Sequence, residues 1–208
     1  MGKKWIDISQ PLTNDIAHWP GDTPFSYETV FTKDETGSVN IGKITTSLHT
    51  GTHIDAPFHF LNEGKTVLDL DLELYIGKAK LVDVSDWDEV TPEAFFNSEL
   101  DGVQRLLVKT KKQVEPHIFP QEIPRLSPEL APFLKEKGVR LLGVDLPSVD
   151  ALNSKEMETH HALYQHDIHI LENIYVEHVE PGLYEIIALP LPIKGGDGSP
   201  VRAVIRPL

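Results

Sequence analysis

The stretch His49-Thr50-Gly51-Thr52-His53-Ile54-Asp55-Ala56-Pro57-Phe58-His59 gathers three imidazoles and a carboxylate in a segment that cannot be a regular helix. As a pattern it reads H-x-G-T-H-x-D-x-P-x-H. Imidazole nitrogen and carboxylate oxygen are the ligands preferred by borderline divalent metals, zinc above all, so the stretch points to a hydrolytic metal site. Residues 49, 53, 55 and 59 are separated by even numbers and would leave one face of an extended chain. Full extension fails all the same, because at about 3.3 Å per residue His49 and His53 would lie roughly 13 Å apart, beyond the reach of one ion with ligands at about 2.0 to 2.1 Å. The backbone has to bend. Gly51 supplies freedom in φ where the bend is needed, and Pro57 biases Ala56 toward extended geometry, so a strand ending in a ligand-bearing loop is expected. A helix carrying both histidines at i, i+4 is set aside, since no Glu follows His49 and Thr50, Gly51, Thr52 and Pro57 all oppose helix. A purely structural role is the weaker account, because burying these groups side by side without an ion incurs several desolvation costs at once.

With 208 residues the chain fits one domain, residues 1–208, large enough to bury a core without staples. It contains no cysteine, which removes disulfides and thiolate metal sites and fits a reducing cytoplasm. The opening Met1-Gly2-Lys3-Lys4-Trp5-Ile6-Asp7-Ile8 lacks an apolar signal core, and no apolar run reaches membrane-spanning length. A formal charge of −13 disfavours nucleic acid and anionic lipid. A soluble, cytoplasmic protein with a small-molecule substrate, no nucleic acid and no membrane partner is expected.

Apolar runs of strand length recur at 5–8, 79–84, 105–108, 140–144, 168–170, 184–189 and 202–205. Helical signals fall between some of them. Ser127-Pro128-Glu129 has the form of an N-cap, a Pro at N1 and an acidic first turn, leading to a stop at Gly138. Thr91-Pro92-Glu93 repeats that signal, and Asn153 with Glu156 resembles a capping box for a helix over 154–165, with Leu152, Met157 and Leu163 as candidate buried positions. Segments 111–125 and 190–200 read as loops. The sum is a mixed α/β domain without repeats or linkers.

A second cluster comprises His160, His161, His166, Asp167, His169 and Glu172. Glu172 stands within Ile170-Leu171-Glu172-Asn173-Ile174, and a carboxylate buried in such a strand requires a partner. A metal ion is one, and His160 at the adjacent helix end is placed to share it. His166 and His169 are expected to face solvent around the turn, as are His18, His117 and His178.

The first motif, Trp19-Pro20-Gly21-Asp22, the block from His160-His161 to Glu172-Asn173, and Gly198-Ser199-Pro200-Val201-Arg202-Ala203 together resemble the metal-dependent cyclase-like hydrolase family, and within it the bacterial formamidases. The similarity runs over nearly the whole chain. The first motif alone is shared with isatin hydrolases, so a cyclic-amide hydrolase is the alternative. The resemblance implies a swivelling β/β/α domain with mixed sheets and flanking helices, a homodimer or larger homo-oligomer, and two zinc ions per subunit, with other divalent metals such as manganese as substitutes. It matches His49, His53 and Asp55 to the ligands of one ion with Asp55 bridging, His160 and Glu172 to those of the second, His59 to a catalytic histidine and Trp19 to a substrate contact. His161, adjacent to His160, is the one ambiguous assignment. The implied reaction is hydrolysis of N-formyl-L-kynurenine to L-kynurenine and formate in tryptophan catabolism.

Such a reaction needs an activated water, a polarised formyl oxygen and a proton for the departing aniline nitrogen. Metal supplies the first two. An imidazole titrating near neutrality can carry the proton, and His59 is the candidate. Trp19, Phe25, Phe58 and Phe60 flank the metal motif and offer aromatic surface to an anilide ring. Phe58 and Phe60 alternate with His59 and are equally compatible with pointing into the core, so Trp19, in a Pro-Gly loop, is the better candidate.

Overall fold

The computed structural model describes residues 4–110 and 113–208. Residues 1–3 of the opening stretch, and 111 and 112 of the expected 111–125 loop, lie outside the described residues. In chain order the strands are β1 (Ile6–Asp7), β2 (Ser26–Phe31), β3 (Ile41–Thr45), β4 (His53–Asp55), β5 (Ile76–Asp83), β6 (Glu89–Val90), β7 (Arg105–Lys109), β8 (Arg125–Leu126), β9 (Leu141–Val144), β10 (His169–Glu172), β11 (Gly182–Ile187), β12 (Gly198–Pro200) and β13 (Val204–Pro207). The helices are α1 (Lys33–Thr36), α2 (Leu130–Glu136) and α3 (Glu158–Gln165).

Nine strands form one mixed sheet in the order β1-β13-β11-β5-β7-β9-β10-β4-β12. Its centre, β5-β7-β9-β10, is parallel, and the flanking pairs are antiparallel. The centre is where the sequence is most continuously apolar, as expected for parallel strands covered on both faces. Leu106, Val108, Leu142, Val144 and Ile170 pack on one side with Leu130 and Leu134 of α2 and Leu163 of α3. Leu107, Leu141 and Leu171 point to the other side, against Ile54, Tyr75, Tyr184 and Ile186. The expected α/β architecture of mixed sheet and flanking helices is therefore present. Among the described residues no helix is long and apolar enough to cross a membrane.

Several local expectations are corrected. The helix expected over 154–165 begins at Glu158, because its first turn is capped from outside the local sequence: Asp150 accepts hydrogen bonds from the Thr159 and His160 amides at 2.9 and 3.0 Å. Leu163 is buried, whereas Leu152 and Met157 precede the helix and are only half-buried. Thr91-Pro92-Glu93 opens only a turn of 3-10 helix, Pro92–Phe95. The Gly138 stop holds, with φ at 87°, but the Ser127 hydroxyl accepts from the Glu129 amide before α2 starts rather than capping the helix itself. Segment 190–200 is not all loop, since Gly198–Pro200 forms β12 and pairs with β4. Arg125 likewise begins β8.

Candidate metal centre and active site

The bend demanded by the 49–59 stretch falls at Gly51, whose φ is 66°. The order differs from the expected strand followed by loop. His49 lies in the turn before the bend, His53 and Asp55 on β4 after it, and His59 ends a 3-10 turn, Pro57–His59. On β4 the alternation sends Ile54 into the core and the side chains of His53 and Asp55 to the opposite face. β4 runs antiparallel to β10 with His53 opposite Glu172 and Asp55 opposite Ile170. Strand pairing thus delivers His53, Asp55 and Glu172 to one patch at the carboxyl ends of β9 and β10, and α3 lowers His160 onto it.

All four of these side chains are buried. His53 Nε2 lies 3.4 Å from Asp55 Oδ1 and 3.4 Å from Glu172 Oε2. His160 Nε2 lies 3.4 Å from Asp55 Oδ2 and 3.8 Å from Glu172 Oε1. His49 Nδ1 approaches Asp55 Oδ1 at 3.0 Å. Each oxygen of Asp55 therefore serves a different set of imidazoles. Donor atoms close enough to share an ion occur as His49, His53 and Asp55 and, separately, as Asp55, His160 and Glu172, with Asp55 common to both. A third such group, His49, His59 and Asp197, lies nearer the surface.

The outward nitrogens are held. His53 Nδ1 donates to the Gly51 carbonyl at 2.8 Å, and His160 Nδ1 donates to Asp150 at 2.6 Å. In each ring this leaves Nε2 as the atom aimed at the cluster, the arrangement by which a hydrogen-bonded outer partner orients a metal-ligating histidine. Among the described residues four buried side-chain polar atoms lack a hydrogen-bond partner, and two of them are His53 Nε2 and Asp55 Oδ2 at the centre of this patch. Orphaned buried polar atoms are costly, and a cation between them satisfies both. The donor set of imidazole and carboxylate suits a divalent ion.

The electrostatics agree. Burial by itself would lower the His53 imidazole, yet Asp55 and Glu172 outweigh it and push it up to about 10. His160 is likewise raised to about 10 by Asp150 and Asp55 against the pull of burial. Burial, then the neighbouring Asp55 charge, raises the Glu172 carboxyl. For Asp55 burial acts upward, but the neighbouring His160, His49 and His53 imidazoles hold it well below the usual carboxylate range. His59 differs: burial and then the positive neighbour His49 lower it, so its ring is neutral near pH 7.

His59 stands beside the cluster, its ring centroid 4.0 Å from that of His49 and 6.2 Å from that of His160. It lines a cavity of about 500 Å³ together with Trp19, Ser148, Met157, His160 and Glu172. Trp19, 38% exposed, also borders a second cavity on the His49 side and meets Phe119 edge-on at 5.2 Å. The other flanking aromatics do not line the His59 cavity. Phe25 is buried, Phe58 is largely exposed rather than turned into the core, and Phe60 packs edge-on against His160 and His161.

His160 therefore faces the cluster, while His161 turns toward Phe60. His166 bonds the Ala162 carbonyl. His169 is not the solvent-facing residue expected, because its Nδ1 meets the Tyr75 hydroxyl at 3.1 Å beneath the sheet. His117 and His178 are exposed as expected, and His18 is half-buried. Two carboxylates at the site escaped the sequence reading: Asp150, which orients His160, and Asp197, whose Oδ2 lies 3.1 Å from His49 Nε2. His49 holds the Asp197 carboxyl down to about 2. Neither lies near the histidine it contacts in sequence, and the only hint was the Gly-Asp-Gly setting of Asp197.

The family model described as "Putative cyclase" matches residues 6–151. A kynurenine formamidase of Bacillus cereus is 59% identical over 205 residues, covering 99% of this chain and 98% of that protein. A kynurenine formamidase of Bacillus anthracis is 58% identical over the same length and coverage. Among solved structures, a predicted metal-dependent hydrolase from Bacillus stearothermophilus superposes with a TM-score of 0.83 at 26% identity, covering 99% of both chains. An isatin hydrolase bound to the product analogue thioisatinate gives a TM-score of 0.83 at 19% identity, covering 98% of this chain and 92% of that one, and shares the fold. A site that fits a divalent metal, a matching fold and this sequence identity lead to one assignment: the chain belongs to the cyclase family of metal-dependent hydrolases, among the kynurenine formamidases.

Proposed function

We propose that this chain hydrolyses N-formyl-L-kynurenine to L-kynurenine and formate. The observation that carries this is the near full-length identity of 59% to a kynurenine formamidase, combined with a neutral histidine beside a divalent-metal cluster. We read the metal as zinc, two ions per subunit. His49, His53 and Asp55 would hold one, His160 and Glu172 the other, and Asp55 would bridge, as its presence in both donor groups supports.

When bound, a divalent ion supplies Lewis-acid polarisation of a carbonyl and makes water acidic enough to react at neutral pH. The rest falls to this chain. Trp19 offers an aromatic face to the anilide ring at the mouth of the His59 cavity. His59, neutral near pH 7, takes a proton from the attacking water as oxygen joins the formyl carbon. It returns that proton to the aniline nitrogen as the C–N bond breaks, so a free amine leaves with formic acid, which gives its remaining water-derived proton to solvent and becomes formate. Asp150 and the Gly51 carbonyl keep the His160 and His53 rings from rotating during the cycle.

The chain acts as one catalytic domain over residues 1–208, a reading supported by strands from both ends pairing in the main sheet, Ile6–Asp7 against Val204–Pro207. It forms at least a homodimer. Among the described residues β2 and β3 pair only with each other, and every residue of both is exposed. Phe31 at 51% and Ile44 at 59% exposure head an apolar arm that an isolated hairpin could not sustain in water. A second copy covering it explains the composition, and Phe31→Asp should release a monomer in light scattering. The absence of cysteine supports a cytoplasmic setting.

The test is to supply purified protein with N-formyl-L-kynurenine and, separately, with isatin. Turnover of the formamide far above that of isatin is expected. Isatin opening without formamide hydrolysis would transfer the assignment to a cyclic amide.

A further inference from the structure

Asp197 belongs to neither proposed ligand group, yet one of its oxygens addresses two of the histidines. Oδ2 lies 3.1 Å from His49 Nε2 and 3.7 Å from His59 Nδ1. The two rings lie against each other, tilted by 34°. On the far edge of His49, Nδ1 faces Asp55. The carboxylate thus sits against one nitrogen of each imidazole, while the other nitrogen of His49 faces Asp55 and His59 lines the cavity.

The loop carrying it is fitted to this approach. The Asp197 carbonyl accepts from the Ala56 amide at 2.9 Å, and the Gly196 carbonyl accepts from the Val67 amide at 2.9 Å. These bonds clamp the loop to both sides of the Pro57–His59 turn. At Gly198 an added Cβ would meet His49 Cε1 at 2.7 Å and the Ile54 carbonyl at 3.0 Å. Glycine at 198 therefore lets the His49 ring lie directly on the backbone next to Asp197.

A neutral imidazole carries its proton on either nitrogen, and a fixed acceptor on one side selects the tautomer. We propose that Asp197 is a positioning residue that sets both rings: accepting from His49 Nε2–H, it leaves Nδ1 for the metal cluster, and accepting from His59 Nδ1–H, it leaves His59 Nε2 as the proton carrier facing substrate. The logic is that of a carboxylate behind a ligating or catalytic histidine. At 3.7 Å the His59 contact is longer than a hydrogen bond, and in ligand-free sites such contacts tighten once substrate is bound.

This inference rests on the proposed role of His59 in formamide hydrolysis. It is tested with Asp197→Asn and Asp197→Glu in the full chain, after matching melting temperatures show intact folding. For Asp197→Asn, kcat should fall about 100-fold with KM within about 3-fold, and zinc affinity of the stripped protein should weaken about 10-fold with the number of bound ions unchanged. Asp197→Glu should recover part of the lost kcat. In a His59→Ala background Asp197→Asn should cost less than about 3-fold, because the residue through which it acts on turnover is gone. Long-range 15N spectra of the zinc-loaded protein should show His59 as the Nδ1–H tautomer in the wild type and as a mixture in Asp197→Asn. Loss of one ion per chain would make Asp197 a ligand and overturn the proposal, as would an unchanged kcat or a full additive loss in the His59→Ala background. Should the wild type leave N-formylkynurenine untouched, the functional reading falls, and the tautomer spectra still decide the role of Asp197.

Discussion

Across the β4–β10 ladder His53 stands opposite Glu172, and His53 Nε2 lies 3.4 Å from Glu172 Oε2 with both side chains buried. A cross-strand pair on the buried face of a sheet would ordinarily be apolar. Here burial pushes the Glu172 carboxyl up, and His53 Nε2 and Asp55 Oδ2 have no hydrogen-bond partner, so the patch is expensive when empty and stabilised when a cation fills it. Stripping metal should therefore destabilise the fold. With free ion at a thousand times Kd the linkage is about 4 kcal/mol, a fall in Tm on the order of 10 °C for a chain of this size. Calorimetry with and without chelator, followed by zinc return, checks it, and an unchanged Tm would count against a filled site.

Asp55 and His59 should separate under substitution. Asp55→Asn removes the carboxylate common to both donor groups, so metal content and activity should fall together. His59→Asn should leave metal bound and lower kcat about 10²- to 10⁴-fold. Metal analysis beside steady-state kinetics distinguishes the two, and loss of metal from His59→Asn would make His59 a ligand.

His169 gives a pH signature away from the metals. Burial holds its folded-state pKa below the ordinary 6.5, so the unfolded chain takes up a proton at a higher pH than the folded one. Stability is then lost as pH falls from 6.5 toward the lowered value, by up to about 1.4 kcal/mol per pH unit. His169→Gln can keep the bond to Tyr75 without titrating. Denaturant titrations across that window should give the variant a shallower acid slope, and parallel slopes would contradict the assignment.

Arg105 is a buried cation held by backbone: Nε donates to the Leu74 carbonyl at 2.8 Å, and the guanidinium also reaches the carbonyls of Glu73 and Lys78. Arg105→Leu would leave those carbonyls without their donor at the start of β5. A loss of about 2 to 4 kcal/mol in unfolding free energy is expected, and a loss under about 0.5 kcal/mol would show that water replaces the guanidinium.

What the sequence revealed depended on how local each signal was. The 49–59 run carried its own chemistry; its need to bend followed from chain dimensions, and the place of the bend from the freedom of Gly51 in φ. The central strands were legible because 105–108 and 140–144 are apolar on both faces. Asp150 was not, since it caps α3 and orients His160 from ten residues upstream of that histidine, and this also hid the true start of the helix. Asp197 reaches His49 only because β12 adds to the far edge of β4, a pairing that no local pattern announces. The β2–β3 arm escaped for another reason: with both faces exposed in one chain, it lacks the one-sided alternation of a packed strand.

Turnover of N-formyl-L-kynurenine should depend on ions held by the cluster around Asp55. Titrating metal-stripped protein with zinc while following bound metal and formamide hydrolysis together measures that dependence. Negligible activity without metal and a rise that saturates at two ions per chain are expected. Full activity in the stripped protein, or saturation of metal with no hydrolysis, would contradict it.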